Sequence, residues 1–288
     1  MPLTPRNKTY SIDGMSNRGP VGLLVVLPLL GGLVGACKKP VADRAPAASE
    51  GAAPSASVAN PPMDESDSGG RDDAALAKEY ESGCDHGDAR GCTNLGFLYS
   101  SGAGVVANAE RAVALYKKGC EAGDARGCTN LGAMYDKGKV VHADEARAAL
   151  LYKQGCDGAD PRGCTNLGIL VANGRGTPKD ELKAVTLYHR ACAQGEPSAC
   201  TNLGFMYSAG KGVHVDEAKA RSLYEEGCEK GDPHGCSNLG VIFEKGKGLP
   251  VDLSRAAAFY KKACDQGDAA GCSNLGEMYR RGRVKPVR

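Results

Sequence analysis

Cysteine is the residue type in this 288-residue chain best placed to do chemistry, and there are thirteen. Twelve fall in pairs: Cys84 and Cys92, Cys120 and Cys128, Cys156 and Cys164, Cys192 and Cys200, Cys228 and Cys236, Cys264 and Cys272. The members of a pair are eight apart, and the pairs recur every 36 residues. Zinc would need four converging ligands, and one pair per period supplies two. His86, His142, His189, His214 and His234 keep no fixed place beside the pairs. Redox catalysis commonly uses Cys-x-x-Cys, which is absent. An even set at fixed spacing in an exported chain reads as disulfides, so we assign six local bridges. No metal and no cofactor is expected.

The elements that hold these cysteines repeat with them. Residues 73–288 are six periods of 36. Asn-Leu-Gly recurs from 94, 130, 166, 202, 238 and 274, and tyrosine at 80, 116, 152, 188, 224 and 260. Such recurrence marks an array of two-helix units. In residues 109–119, Ala112, Leu115 and Tyr116 share one helical face; we name this helix B. Gly123 suits a left-handed cap, and Asp124 an N-cap for helix A near 125–137. Its expected buried stripe is Cys128, Leu131, Gly132, Met134 and Tyr135. Gly138 ends helix A, and Asp144 caps the next helix B. The loops are short, so consecutive helices are antiparallel neighbours. The array opens with a helix B at 73–83 and stops after a helix A at 270–281, giving six B–A hairpins with one cysteine pair each. Three positions depart from the pattern: Ala159 stands for a glycine, Val140 for the second glycine of a Gly-x-Gly turn, and Val171 for an aromatic residue.

Composition agrees. Glycine numbers 40, tryptophan is absent and phenylalanine numbers only 4, which argues against one large aromatic core.

The first 72 residues read differently. Residues 21–36 form an apolar run behind Arg18, broken by Pro28, Gly31, Gly32 and Gly35. That is the layout of a signal peptide and too short for a confident membrane span. Val34-Gly35-Ala36-Cys37 resembles a bacterial lipobox, which implies cleavage before Cys37 and lipidation of its thiol. Met15 is an alternative start. Lys38 and Lys39 resemble an outer-membrane address, on the periplasmic face or the cell surface, and several acyl chains would give a stable anchor. Residues 37–72 carry the lipidated cysteine and an Ala/Pro/Ser-rich stretch without periodicity, expected to be a disordered tether. Losing 1–37 removes Arg6, Lys8, Arg18 and Asp13 and leaves 33 basic and 33 acidic residues. Nucleic-acid binding by bulk charge is therefore not expected.

The pattern Cys-x7-Cys-x-Asn-Leu-Gly-x-x-Tyr-x-x-Gly-x-Gly-Val resembles Sel-one-like repeats, relatives of the tetratricopeptide repeat, over all of 73–288. Within that family it is most similar to the secreted Helicobacter cysteine-rich proteins. The resemblance implies an all-α, right-handed superhelical solenoid with a concave face lined by helix A. It also implies adaptor, host-interaction or envelope-regulating roles, and for the cysteine-rich branch penicillin binding with weak beta-lactamase activity.

If helix A lines a groove, its outward stripe holds Arg90, Asn94 and Phe97; Arg126, Asn130 and Lys137; Arg162, Asn166 and Ile169; Asn202 and Phe205; Asn238, Val241 and Lys245; Asn274 and Glu277. The asparagines could pair with an extended backbone, since an amide both donates and accepts. An equally open reading is architectural, because they recur once per unit. The residues at 97, 133, 169, 205, 241 and 277 vary, and are the better specificity candidates. A catalytic reading has little to stand on. Ser208-Ala-Gly-Lys211 spells Ser-x-x-Lys, but no Ser-Asp-Asn or Lys-Thr-Gly accompanies it. The leading expectation is a lipid-anchored scaffold that binds an envelope protein, an extended peptide or a cell-wall fragment. Beta-lactam hydrolysis and a purely structural envelope role are the alternatives.

Overall fold

The computed structural model describes residues 72–138 and 140–285. The expectations for the signal peptide, Cys37 and the tether fall outside the described residues, apart from Asp72. The described residues form twelve α-helices and no strand: α1 (Asp73–Asp85), α2 (Ala89–Ser101), α3 (Ala109–Glu121), α4 (Ala125–Lys137), α5 (Glu145–Asp157), α6 (Pro161–Asn173), α7 (Glu181–Ala193), α8 (Pro197–Ala209), α9 (Glu217–Glu229), α10 (Pro233–Lys245), α11 (Leu253–Asp265) and α12 (Ala269–Arg280). Odd numbers are helices B and even numbers helices A. They pack as an all-α solenoid of paired helices. None is long and apolar enough to cross a membrane.

Local chemistry sets the boundaries. Ten helices start at an aspartate whose carboxylate accepts from a backbone N–H of the first turn, as Asp124 does from Arg126 and Asp144 from Arg147. Asn108 does the same for α3. Helix α8 begins at Glu196 without that bond, and Pro197 supplies a preset first turn instead. Helices α2, α4, α6, α8 and α10 end at a left-handed glycine. Between helices B and A the left-handed position is also glycine, except at Ala159 (φ 69°), the one non-glycine residue with positive φ among those described. A Cβ there is strained, and nothing in the structure explains its use.

All six disulfides form with the expected partners, and their Cα atoms are 4.5–4.7 Å apart. The cysteines are mostly buried, but Cys120 and Cys264 are half-buried and Cys272 is exposed. The two helix–helix contacts of a period are unequal. Each of α2, α4, α6, α8 and α10 packs more extensively on the helix B that follows it than on the helix B to which its cystine ties it. The cystines therefore reinforce the thinner contact of each period.

The tighter contact depends on Asn-Leu-Gly. The glycine lets a helix-B tyrosine ring lie against helix-A backbone. A Cβ at Gly96, Gly132 or Gly204 would come within 2.9 Å of the ring of Tyr116, Tyr152 or Tyr224. Those rings are buried, as are Tyr188 and Tyr260. Met134 and Tyr135, expected in the buried stripe, are only half-buried, and Tyr135 carries the Arg147 guanidinium 4.4 Å above its ring. No described helix B follows Gly276, and a Cβ there would meet nothing within 4 Å. Gly204→Ala is therefore expected to lose about 1–3 kcal/mol through overpacking. Gly276→Ala is expected to gain up to about 1 kcal/mol from helix propensity. Urea denaturation of the two variants checks this, and the opposite order would refute it.

Candidate functional site

The stripe expected along the helices A divides on folding into a buried part and an open part. Contacts between successive helices A cover its middle. Asn166, Asn202 and Asn238 are 4 %, 1 % and 2 % exposed, and Ile169 and Val241 belong to the core. Asn94, Asn130 and Asn274 are half-buried, as are Phe97, Phe205 and Glu277. The asparagines thus do not form one open ladder.

The arginines also differ from expectation. Arg162 is buried, and its guanidinium donates to both carboxylate oxygens of Asp160, the N-cap of its own helix, at 3.1 and 3.2 Å. Arg126 repeats this with Asp124. Their charge is used within the B–A turn, while Arg90, Lys137 and Lys245 are exposed. Glu277 is engaged by Arg280 and Arg281.

One cleft lies on the stripe. Between α8 and α10 lies a cleft of about 490 Å³. Phe205, Tyr224, Val241 and Ile242 give it an apolar floor, with Asn238 and Ser208 among its polar atoms. Lys211, Lys245 and Lys247 line it too, and the Lys211 ammonium sits 4.9 Å from the centre of the Phe205 ring. Four of the expected residues meet here: Phe205, Asn238, Val241 and Lys245. Sequence reasoning met Lys211 only as part of Ser-x-x-Lys and passed over Lys247. The signal was present, because both occupy the middle of a Gly-x-Gly turn at the foot of a helix A.

The Ser-x-x-Lys spelling has no catalytic geometry. Ser208 lies in the last turn of α8 and its hydroxyl donates to Glu217 at 3.5 Å. The all-helical fold of the described residues is inconsistent with a beta-lactamase fold. Cys192, Cys200 and Glu226 bring potential metal ligands together, but the two sulfurs are already joined to each other.

Comparison with known proteins now gives these features a family. The Sel1 repeat model matches residues 89–124, 125–160, 161–196, 197–232, 233–268 and 269–288. The chain belongs to the Sel1 repeat family. Its units are counted from helix A, so α1 precedes the first match, Cys84–Cys92 ties α1 to the first unit, and each later cystine joins one unit to the next. A Sel1 repeat protein from Oxalobacter formigenes is 29 % identical, with a TM-score of 0.66 over 75 % of this chain and 92 % of that one. The uropathogenic Escherichia coli protein c5321, described as a protective antigen displaying an SLR fold, is 28 % identical, with a TM-score of 0.61. That match covers 73 % of this chain but only 45 % of the antigen, so this Sel1 chain spans less than half of it. Helicobacter pylori cysteine rich protein B is 32 % identical over 46 % of this chain and 97 % of its own, with a TM-score of 0.38. No curated protein matches the sequence.

Proposed function

We propose that this protein is an exported, lipid-anchored Sel1 scaffold that holds an extended segment of a partner protein along its helices A. Membership of a repeat family built for protein contacts supports a binding role over a catalytic one. The observation that carries the reading is the α8/α10 cleft. Apolar side chains line its floor and three ammonium groups line it beside them. Few convergent polar groups over an apolar floor are what a binding site needs. The anchor rests on the lipobox-like residues 34–37 and would place the array beside a bacterial envelope membrane, with 38–72 as its tether.

The test uses the full-length protein with a photo-cross-linking side chain in place of Ala209, which lines the cleft and is exposed. Irradiation in intact envelopes is expected to trap one protein, and an excess of that protein's contacting peptide should prevent it. No adduct, or adducts with wall glycan only, would overturn the protein-binding reading. Cys37→Ser should move the protein from the membrane fraction to the soluble one, and unchanged membrane association would remove the anchor.

A further inference from the structure

A recurring internal ion pair explains where the cleft's charge comes from. In the third period, Arg175 stands in the middle of the Gly-x-Gly turn and reaches back 39 residues to Asp136 at 2.5 Å. It also bonds Glu145 at 2.7 Å. In the sixth, Arg283 reaches back 39 residues to Glu244 at 2.5 Å. The cation of each turn is thus neutralised by a carboxylate in the last turn of the preceding helix A.

The fourth and fifth periods keep the cation and lack that acid. The residue 39 before Lys211 is Ala172, and the residue 39 before Lys247 is Ser208. Remaining acids cover this poorly. Glu181 feels the Lys211 charge, but its ion pair goes to Lys179 at 2.8 Å. Glu217 accepts from Ser208. Lys245 and Lys247 make no ion pair with a described residue. Lys139 of the second period likewise has a serine, Ser100, 39 residues before it, but only the turns of the fourth and fifth periods line the cleft, where Lys245 adds a third ammonium.

The missing acid leaves a second trace. In the other internal periods the residue at this position bonds the buried helix-B tyrosine: Asp136 with Tyr152, Glu244 with Tyr260, Ser100 with Tyr116 and Ser208 with Tyr224. Ala172 offers nothing, and the Tyr188 hydroxyl is buried without a hydrogen-bond partner.

We propose that the α8/α10 cleft recognises an acidic peptide segment, whose carboxylates take the place at Lys211 and Lys247 that Asp136 and Glu244 fill elsewhere, while a neighbouring apolar side chain packs on Phe205, Val241 and Ile242. The proposal rests on the scaffold reading and names the chemistry of its partner. An unpaired lysine on a solvated surface would be ordinary. Three around one apolar floor, in two neighbouring periods without the internal carboxylate, select for an anion beside an apolar group. Charge-assisted bonds of this kind are stronger than neutral ones and weaken with salt at the rim.

The probe is a fluorescein-labelled ten-residue peptide, Ala-rich, with one phenylalanine flanked by two glutamates on each side. Its control carries glutamine at all four positions. Full-length protein is expected to bind the glutamate peptide at least ten-fold more tightly than the glutamine peptide at low salt. The combined K211Q/K245Q/K247Q variant should erase that preference. Ser208→Glu restores the internal acid opposite Lys247, and should weaken the glutamate peptide several-fold without lowering Tm. Equal affinity for the two peptides would overturn the proposal, as would full binding by the triple-lysine variant with an unchanged melting curve. The scaffold reading is judged separately. Envelope cross-linking that traps the same partner on wild type and triple variant leaves the scaffold standing and removes the acidic specificity.

Discussion

Complete reduction of the six cystines is expected to unfold the array at room temperature without denaturant. Each bridge closes a loop of about eight residues, for which loop-closure reasoning gives about 2–3 kcal/mol. Six together supply about 12–18 kcal/mol, against about 5–15 kcal/mol of net stability for a typical domain. The remaining core is thin, a seam of alanine, leucine and tyrosine shared between neighbours. The bridges also sit at the less extensive helix–helix contact of each period, where packing gives least back when they are lost. Reduction should begin at Cys264–Cys272, the exposed pair, and reach the buried Cys156–Cys164 and Cys228–Cys236 last. Far-ultraviolet circular dichroism during titration with a phosphine reductant, with alkylation and mass spectrometry at each step, follows both. A helical spectrum that survives full reduction would show that the seam suffices alone.

Raising the pH is expected to unfold the array cooperatively above about pH 10. Burial pushes the Tyr116 hydroxyl up to about 12, partly offset by its bond to Ser100 and by Arg162. Burial pushes Tyr152, Tyr188, Tyr224 and Tyr260 further up, and the carboxylates of Asp136 and Glu244 add to the effect at Tyr152 and Tyr260. A tyrosine held neutral by the fold ionises near 10 once unfolded. Its contribution is therefore complete below pH 10 and is lost as pH rises through the folded-state value. For Tyr116 alone that is about 2–3 kcal/mol by pH 12. The five together exceed what a marginally stable array retains. Tyrosinate absorbance after a rapid pH jump should show a lagging group of rings that ionises with the loss of helicity. Smooth titration of every tyrosine with the helices intact would contradict the role given to these rings.

The cystine spacing, the Asp124 and Asp144 caps and the Gly132 approach were legible because each depends on residues a few positions apart or on strict recurrence. Helix α4 covers the expected 125–137, and α3 and α1 run two residues further than expected. Less was legible wherever burial depends on stacking between periods. Arg162 and Asn166 look like a polar stripe in sequence. They become core because successive helices A touch, and no local pattern records that contact. The pairing of Arg162 with its own cap Asp160 removes a cation that the spacing alone leaves outward. The cleft was half legible. Phe205, Asn238, Val241 and Lys245 stood in the expected stripe, but the lysines at 211 and 247 gain meaning only when the 39-residue pairing of Asp136 with Arg175 and Glu244 with Arg283 is known.

The cystines also fix how the protein responds to being pulled. A chain under tension lengthens by feeding out residues between its points of attachment, at about 3.5 Å each. The seven residues enclosed by each bridge are shunted out of the tension path, because force crosses the sulfur link instead. Every period therefore withholds about 20–25 Å of slack, close to a fifth of the array's extended contour. The caps at the B–A turns lie inside those shunted loops and bear no tension while the bridges hold. Rupture must then start at the interface of a helix A with the helix B that follows it, where the buried tyrosine lies against glycine. The array would give way one tyrosine at a time, in short steps.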